Sequence, residues 1–443
     1  MSIQHGNSTA KITSQHGLFY SYLIQTQGKE KTKMYLDANE KAIKNIENII
    51  KQENIECEFE KQSAYVFATK EDDVKQIKDE VEAVKSLGLE AEFVQDLDIP
   101  IKTVGAIEFK NQAKFNPCKY AQGLVNAISN NTKIYENTKV IDLKSEGKNY
   151  EIITEDGYKV IAKYVVIATH YPIINAPGYY FLKMYQSMSY VIGVETKEKL
   201  FEGMYISNDN SPISLRTTNV GGKQLLILAG LDHKTGEKKN LSENYNILED
   251  IAKRYYPDSK VLYKWCTEDC IPLDKIPYIG EFSNLMPNVY VATGYKKWGI
   301  TSSNVAANII VDKIFERKNK YEEVFTSTRL KPIKNYQEMG NMLKEVGKSL
   351  IVKKFKIPKE TLQDIKEEEG GIIEIEGKKI GIYKNKENKI FAIKPVCSHL
   401  GCELSWNNLE KTWDCPCHGS RFTYDGTSIY DPSIKDLEKI EIE

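Results

Sequence analysis

Two short segments near the C-terminus each combine one cysteine with one histidine at spacings that suit a metal site. Cys397 and His399 lie in the first segment, and Cys415 and His418 lie in the second. Thiolates and imidazoles are ligands of zinc and of iron–sulfur clusters. By ligand type, two cysteines and two histidines suit tetrahedral zinc. Zinc motifs usually place their cysteines in one segment and their histidines in another, whereas here each segment supplies one of each.

The wider pattern favours iron–sulfur chemistry. It resembles the signature of a Rieske [2Fe-2S] domain in two motifs, Cys397-Ser-His399-Leu-Gly-Cys402 and Cys415-Pro-Cys417-His418-Gly-Ser420. The resemblance implies four cluster ligands: Cys397, His399, Cys415 and His418. Two thiolates would hold one iron and two neutral imidazoles the other, which raises the reduction potential relative to all-cysteine clusters. It also implies a disulfide between Cys402 and Cys417 that joins the two ligand loops, as in cytochrome bc-type Rieske proteins.

Two positions after the second motif bear on the potential of the cluster. Ser420 matches the Rieske serine whose hydroxyl hydrogen-bonds a bridging sulfide. High-potential members carry a tyrosine two residues further on, with its hydroxyl directed at a cysteine ligand, but this chain has Phe422 there. Hydrogen bonds to sulfur raise the potential. We therefore expect a potential below that of respiratory Rieske proteins.

The composition is that of an ordinary globular protein of two or three domains. The 443 residues are 41% hydrophobic, and 61 Lys and Arg nearly balance 62 Asp and Glu, which gives no electrostatic reason to expect nucleic acid as a partner. The N-terminus has no apolar signal-peptide core, and no apolar run approaches the roughly 18–20 residues of a membrane span. We therefore predict a cytoplasmic protein without a membrane span.

Helical and strand patterns alternate over the first three hundred residues. They predict helices at 34–50, 71–88, 118–129 and 303–316, and strands at 63–68, 133–142, 149–154, 158–168, 225–231 and 289–292. Residues 318–350 are lysine-rich and weakly patterned, which favours a linker or docking segment. Short strands with tight turns follow at 371–376, 379–383 and 390–393, as expected of the small all-β Rieske fold.

Four segments of the front part carry a second resemblance: residues 5–17, 136–140, 164–170 and 290–301. In this order they resemble the D-amino-acid-oxidase-like superfamily of FAD-dependent oxidoreductases, close to the bacterial branch that ends in a Rieske domain. The resemblance implies contacts to FAD from Ser8, Thr9, Ala10, Val140, Ala168, Gly294, Trp298, Gly299, Ile300 and Thr301.

The physical chemistry of these segments fits a flavin site. Gly294 would let the backbone approach the cofactor closely. A helix starting near Ile300 would direct free N–H groups and its positive dipole end at the ring, which stabilises negative charge on reduced flavin. Ser8 and Thr9 could instead form a plain helix N-cap. His16 and His170 are candidates for the same region, with an ordinary structural role as the alternative.

One departure from the superfamily concerns the start of the chain. Members begin with a strand and a Gly-x-Gly-x-x-Gly turn that holds the pyrophosphate, and this motif does not occur in the 443 residues. We therefore expect an N-terminally incomplete FAD domain with weakened FAD affinity. The predicted fold class is α/β plus all-β: a truncated FAD-binding Rossmann-like domain with an antiparallel-sheet substrate domain (1–317, with sheet parts at about 55–115 and 175–285), a linker (318–350) and a Rieske domain (351–443).

These features predict an FAD-dependent oxidoreductase that passes electrons between flavin and the Rieske cluster. An amine or amino-acid-like small molecule is the expected donor, and a redox protein or carrier the expected partner. Arg216, Tyr185 and Tyr190 are candidate substrate contacts, since guanidinium binds carboxylate bidentately; a structural ion pair is the alternative for Arg216. No catalytic acid or base is predicted, because the flavin itself takes the hydride.

The same motifs suggest two alternative functions. The first is a non-catalytic Rieske electron-transfer module on a flavin domain that no longer binds FAD. The second is a Rieske ring oxygenase, which needs a mononuclear iron held by two histidines and a carboxylate. The four histidines outside the cluster motifs offer no pair at helix-face spacing, so the sequence argues against an oxygenase.

Overall fold

The computed structural model describes residues 6–237, 241–329, 358 and 361–442. Its helices are α1 Tyr20–Gln27, α2 Lys29–Gln52, α3 Glu71–Ser86, α4 Pro117–Ile128, α5 Ser242–Tyr255, α6 Gly299–Ile314 and α7 Glu322–Phe325, with a short 3-10 helix at Tyr180–Leu182. No helix within the described ranges is both long and apolar enough to cross a membrane.

The strands of the front part are β1 Lys11–Ile12, β2 Glu60–Ala68, β3 Ala91–Val94, β4 Gly105–Lys114, β5 Val140–Glu146, β6 Asn149–Thr154, β7 Lys159–Ala162, β8 Val165–Ile167, β9 Met184–Glu195, β10 Met204–Ser207, β11 Ile213–Val220, β12 Lys223–Lys234, β13 Lys260–Pro272, β14 Tyr278–Glu281 and β15 Val289–Thr293. Those of the C-terminal part are β16 Gly370–Ile375, β17 Lys378–Lys384, β18 Ile390–Ile393, β19 Ser405–Asn407, β20 Thr412–Asp414, β21 Arg421–Thr423 and β22 Ser428–Tyr430.

A large, mostly antiparallel sheet forms the centre of the front part. Its strand order is β1-β4-β2-β10-β11-β12-β9-β13, with β3 added on β4. Strand β9 pairs along its length with both β12 and β13. Side chains of α5 pack on one face, where Leu248 and Ala252 join a buried cluster with Ile192 and Leu226. The sheet therefore draws strands from both regions that the sequence assigned to the substrate domain.

A smaller sheet carries the strands that the resemblance connected with the flavin. Strand β15 pairs in parallel with β8 and antiparallel with β14. Helix α6 follows β15 and buries Val305, Ala306, Ile309 and Ile310 against the core. Because β15 and α6 are consecutive, the segment between them lies at the end of the sheet, as in α/β folds that bind ligands there.

Local sequence explains where helix α3 begins and ends. Acidic residues occupy its first turn at positions 71–73, where the positive end of the helix dipole stabilises them. Ile77, Val81 and Val84 form its buried face. Gly88 follows with φ +89°, a left-handed conformation that glycine adopts without strain and that commonly ends helices.

Two boundary predictions for this region are wrong. Strand β5 begins at Val140 rather than near residue 133, and Asn137 before it has φ +53°, which does not fit a strand. The strand predicted at 158–168 is two strands, β7 and β8, which pair in different sheets. The predicted helices at 34–50, 118–129 and 303–316 correspond to α2, α4 and α6.

The C-terminal part contains two small antiparallel sheets, β16-β17-β18 and β19-β20-β21-β22. Trp413 is fully buried between them and the ligand loops, with Ile393, Leu404 and Phe422 in the same cluster. Most of the segment predicted as a linker, from residue 330 on, lies outside the described residues, so the 318–350 boundary stays a prediction.

Candidate functional site

The four predicted cluster ligands converge at one end of the C-terminal part. The side chains of Cys397 and Cys415 are hydrogen-bonded to each other, and both residues are almost fully buried. The imidazole rings of His399 and His418 lie 5.1 Å apart, centroid to centroid, at an interplanar angle of 86°. Cys402 and Cys417 form the expected disulfide, so their sulfurs are not available as ligands.

Two unpartnered nitrogen atoms show that these residues fit a [2Fe-2S] cluster. Nδ1 of His399 and Nδ1 of His418 are both buried and have no hydrogen-bond partner. A buried polar atom without a partner is costly, and bound iron would satisfy both nitrogens. With two thiols beside them, the donor set is two sulfurs and two nitrogens, as a Rieske cluster requires. Cys397 and Cys415 would hold one iron, and the two histidines the other.

Burial keeps the histidines in the form that binds metal. It lowers the pKa of His418 to about 3 and that of His399 to about 4, so both imidazoles are neutral at physiological pH. The hydrogen bond between the two thiols lowers the pKa of Cys397 to about 7 and, together with burial, raises the pKa of Cys415 well above its ordinary value. Metal ligands must be deprotonated, so the neutral histidines and Cys397 are prepared for iron, whereas Cys415 must release its proton when the cluster binds.

Ser420 and Phe422, the residues predicted to adjust the potential, both lie close to the predicted ligand Cys397. The Ser420 side chain is fully buried; its Oγ accepts a hydrogen bond from Ser433 N at 3.1 Å and hydrogen-bonds the Cys397 thiol. Phe422 is also fully buried and packs in the cluster that contains Cys397 and Cys415. It brings no hydroxyl to the ligands.

Residues of the front part cover the ligand loops. Asn175 Oδ1 lies 2.6 Å from His399 Nε2, and the ring of Phe181 meets both imidazoles edge-on, with centroids 6.4 Å from His399 and 5.8 Å from His418. Gln186 Nε2 donates to Asp431 O at 2.6 Å. The end of the C-terminal part that holds the predicted ligands therefore faces into the protein.

A buried interaction holds the interface on the other side of the ligand loops. The Arg421 guanidinium pairs with the Asp414 carboxylate at 3.1 Å, and both side chains are almost fully buried. Its Nη1 also lies 3.7 Å from Cys266 Sγ of strand β13. This contact ties β21 of the C-terminal part to the central sheet.

A cavity of about 1620 Å³ lies between the two parts of the chain. Predicted flavin contacts line it at Ser8, Thr9, Ala10, Ala168, Trp298, Gly299 and Ile300. The C-terminal part also contributes lining residues: Ser428, Ile429, Tyr430, Asp431 and Ser433. The C-terminal part therefore contributes both residues of the cavity wall and the loops that carry the predicted cluster ligands.

Several features of the cavity fit a flavin ring. Helix α6 begins on the wall at Gly299, and its N-cap residue Trp298 makes no side-chain cap hydrogen bond, so its first N–H groups remain available to a ligand. Nε2 of His170 is buried at the same cavity without a partner. The ring of His16 stacks on Trp298 at 4.7 Å, which fixes the indole.

His16 itself is a neutral, fully hydrogen-bonded residue. Its Nδ1 lies 2.6 Å from the Tyr35 hydroxyl, and its Nε2 lies 3.0 Å from Thr13 O. Burial lowers its pKa to about 3. The ring therefore supports Trp298 and does not carry charge into the cavity.

Three predicted cofactor contacts lie outside the cavity lining. Val140 begins strand β5, and it is its neighbour Lys139 that reaches the wall. Gly294 has φ +73°, and a β-carbon there would lie 2.7 Å from Pro272 Cγ, so its close approach is to protein. Thr301 is buried behind the wall, with its hydroxyl 3.3 Å from Thr13 O.

The candidate substrate residues divide between different environments. Tyr185 lines the cavity. Tyr190 is fully buried in the sheet core, with its hydroxyl 3.1 Å from His233 Nε2. Arg216 lines a separate pocket of about 170 Å³; its Nη1 donates to Thr217 O, whereas its buried Nε has no partner.

Charged residues that the sequence analysis did not single out also line the cavity. Lys11 Nζ donates to Ser214 Oγ; desolvation, together with the charges of Arg216 and Lys297, lowers the pKa of Lys11 to about 7. Burial raises the pKa of Asp431 to about 7. Lys11 lies within the segment 5–17 that carries the resemblance, so its charge close to Ser8 and Thr9 was a usable sequence signal. No sequence pattern pointed to Asn175 or Asp431, because their roles depend on contacts between distant parts of the chain.

Comparisons with known proteins agree with this architecture. The family profile described as "FAD dependent oxidoreductase" matches residues 4–313, and that of the "Rieske [2Fe-2S] domain" matches residues 357–441. The "Putative Rieske 2Fe-2S iron-sulfur protein YhfW" of Bacillus subtilis (strain 168) is 36% identical over 438 residues, which span 99% of this chain and 86% of that protein. A menaquinol:cytochrome c reductase iron-sulfur subunit of Geobacillus thermodenitrificans is 39% identical over 66 residues, 14% of this chain and 39% of that one.

Solved structures share the fold of the front part. Glycine oxidase from Geobacillus kaustophilus superposes with a TM-score of 0.61 at 17% identity, over 73% of this chain and 87% of that one. L-amino acid deaminase from Proteus myxofaciens superposes with a TM-score of 0.58 at 12% identity, over 74% and 85%. Together with the cysteine and histidine geometry, these matches place the chain in the family of FAD-dependent oxidoreductases, with a Rieske [2Fe-2S] domain at its C-terminal end.

Proposed function

We propose that this oxidoreductase removes electrons from a small amine or amino-acid-like donor at the flavin and passes them to its own Rieske cluster. The observation that carries the proposal is that residues of the Rieske domain form part of the cavity wall. Asp431 and Ser433 line the cavity, and Ser433 N donates to Ser420 Oγ beside the ligand Cys397. Only a few hydrogen-bonded residues therefore separate the cavity from the ligand loops.

The chemistry of the two cofactors is complementary. A flavin accepts two electrons from a donor and releases them singly, and a [2Fe-2S] cluster carries one at a time. Oxidation of an amine to an imine supplies two electrons and releases protons. Each pair of electrons would leave through the cluster in two steps, to a redox protein or small carrier.

Residues of the cavity support a donor with an anionic group. Lys11 and Lys296 line it, as does Lys297, which is paired with Asp232. Glycine oxidase and L-amino acid deaminase, whose fold the front part shares, act by their names on amino acids. An amino-acid-like donor would place its carboxylate near these lysines, and Lys11 and Lys296, whose pKa values burial lowers to about 7, would bind it in their protonated form.

The test is anaerobic mixing of the purified protein with a panel of amines and amino acids, beginning with glycine and proline. We expect one of them to bleach the flavin absorbance and then to produce the electron paramagnetic resonance (EPR) signal of the reduced cluster. A Cys397→Ser variant should keep the flavin bleaching and lose the cluster signal, whereas Cys118→Ser, a free cysteine in helix α4 of the front part, should keep both. Bleaching that leaves the wild-type cluster oxidised would contradict transfer between the two centres.

A second candidate function rests on the phosphate site. The sequence contains no Gly-x-Gly-x-x-Gly turn, and strand β8 carries the 46% exposed Val166 at an edge that pairs with no other described strand. These features make the flavin content of the purified protein the property that separates the two candidate functions. A purified protein with a full cluster and no released flavin would favour a Rieske electron-transfer module instead.

A further inference from the structure

The histidine end of the cluster site is covered by the front part of the same chain. His418 is 2% exposed, and the Phe181 ring stands edge-on to His418 and His399. The polar contact to His399 comes from Asn175, 224 positions away in the sequence, with Oδ1 and Nε2 2.6 Å apart. This short distance makes Asn175 a direct neighbour of a predicted cluster ligand.

The direction of this hydrogen bond follows from the ligand geometry. Nδ1 of His399 is buried and has no partner, whereas Nε2 is engaged by Asn175, so Nδ1 is the nitrogen left for iron. A neutral imidazole that gives Nδ1 to iron keeps its proton on Nε2. Nε2–H therefore donates to Asn175 Oδ1, which is an amide oxygen and can only accept.

The segment that carries Asn175 is held in place by its own packing. Asn175 O accepts a hydrogen bond from Tyr179 N at 2.7 Å, which closes a turn. Gly178 lies so close to the core that a β-carbon there would be 2.4 Å from Tyr180 and 2.8 Å from Phe282. Because the turn is fixed against the core, the acceptor is already in position when the C-terminal part docks.

We propose that Asn175 is a positioning residue that sets the reduction potential of the cluster through His399. An acceptor on the outer nitrogen of a ligating imidazole makes that imidazole more electron-rich. An electron-rich ligand stabilises the oxidised cluster more than the reduced one, so the contact lowers the potential. The docked arrangement of the two parts thus determines how readily the cluster accepts an electron. The inference rests on the cluster and does not depend on which donor reduces the flavin.

The experiment is a redox titration of the anaerobically purified full chain, with the EPR signal of the reduced cluster as the readout. Asn175→Leu keeps the approximate size and removes the acceptor, and we expect the midpoint potential to rise. Asn175→Asp strengthens the acceptor with a negative charge, and we expect the potential to fall. A role limited to packing would not move the potential in opposite directions.

Gln186→Met is the matched control. Gln186 Nε2 bonds Asp431 O across the same interface but contacts no ligand nitrogen. If loss of any interface hydrogen bond shifted the potential, this variant would reproduce the effect of Asn175→Leu. We expect it to stay at the wild-type value.

Each outcome decides the matter. Wild-type potentials in both Asn175 variants, or shifts of the same sign, overturn the inference, as does a Gln186→Met shift equal to that of Asn175→Leu. If Asn175→Leu fails to assemble a cluster, Asn175→Asp decides alone, with a lower potential in support and an unchanged or higher one against. Because dithionite and mediators replace the donor, a failure of donor oxidation leaves this result unaffected.

Discussion

Gly236 lies against Pro416 so closely that a β-carbon on Gly236 would be 2.6 Å from the Pro416 nitrogen. Gly236 is in the turn after β12, and Pro416 is in the second ligand loop, directly after Cys415. The contact brings the backbone of the oxidoreductase part against the loop that holds the cluster. Close approach at this point is therefore a condition for docking the Rieske domain.

Gly236→Ala is expected to separate the two domains. Its φ of +77° alone would cost an alanine roughly 1–2 kcal/mol, and the clash with backbone adds to this. We expect faster proteolysis within the Rieske domain and a higher cluster potential, because the acceptor at Asn175 is withdrawn. Limited proteolysis and redox titration measure the two effects.

Gly222→Ala controls for backbone strain. Gly222 has a similar φ of +81°, but nothing lies within 4 Å of the position of its β-carbon. It should lose stability through strain and keep the docked state. Equal proteolysis of the two variants would show that the Pro416 contact does not hold the domains together.

Phe422→Tyr is expected to raise the potential. Phe422 is fully buried in the same cluster as Cys397 and Cys415, and we expect a hydroxyl added to its ring to reach a ligand sulfur, as the tyrosine of high-potential Rieske proteins does. Hydrogen bonds to sulfur favour the reduced cluster. The extra atom would cost about 1–3 kcal/mol through overpacking. A redox titration measures the change, and Phe391→Tyr in the same domain is the control. An unchanged potential in Phe422→Tyr would refute the argument.

The cluster ligands could be proposed from the sequence because Cys397, His399, Cys415 and His418 lie in two short motifs whose chemistry is local, and the structure brings these four residues together. It did not predict Asn175, whose partner is 224 positions away and whose loop has no periodic pattern. Contacts of this kind depend on how two domains dock, and residue spacing carries no information about docking.

Strand prediction failed for a related reason. Residues 158–168 are apolar enough for one strand, but the first strand ends at Ala162. The second begins at Val165 and belongs to a different sheet. Gly294 illustrates the same limit at a single residue. Its positive φ was foreseeable from its residue type, but the close approach to Pro272, which also requires a glycine there, was not.

Removal of the disulfide should destabilise the cluster more than the domain core. Cys402 and Cys417 are 15 positions apart, and closing a loop of that length contributes about 3 kcal/mol in the chain-entropy description. Replacing both by serine is expected to lower the temperature at which the visible absorption of the cluster disappears. Cys118→Ser, which removes a free cysteine elsewhere, should leave that temperature unchanged. Identical cluster-loss temperatures in all proteins would mean that the disulfide does not stabilise the ligand loops.

Glu268 should make stability fall as the pH rises. Its carboxyl is fully buried beneath the Rieske domain, with Oε1 accepting from Thr235 Oγ1 at 2.6 Å and Oε2 without a partner. Burial raises its pKa from 4.5 to about 8. Between these two values the folded protein holds a proton that the unfolded chain has released. Each pH unit in this window therefore costs up to about 1.4 kcal/mol of stability.

Glu268→Gln tests this prediction, because glutamine keeps the acceptor for Thr235 and cannot ionise. We expect the variant and the wild type to differ least below pH 4.5, and the variant to gain relative stability up to pH 8, above which the difference levels off. Denaturant unfolding at a series of pH values measures it. Glu151→Gln, at an exposed ion pair with Lys159, is the control and should show no such trend. A pH-independent difference between Glu268→Gln and wild type would mean that the carboxyl is already ionised in the folded protein, paired with the nearby charge of Arg421.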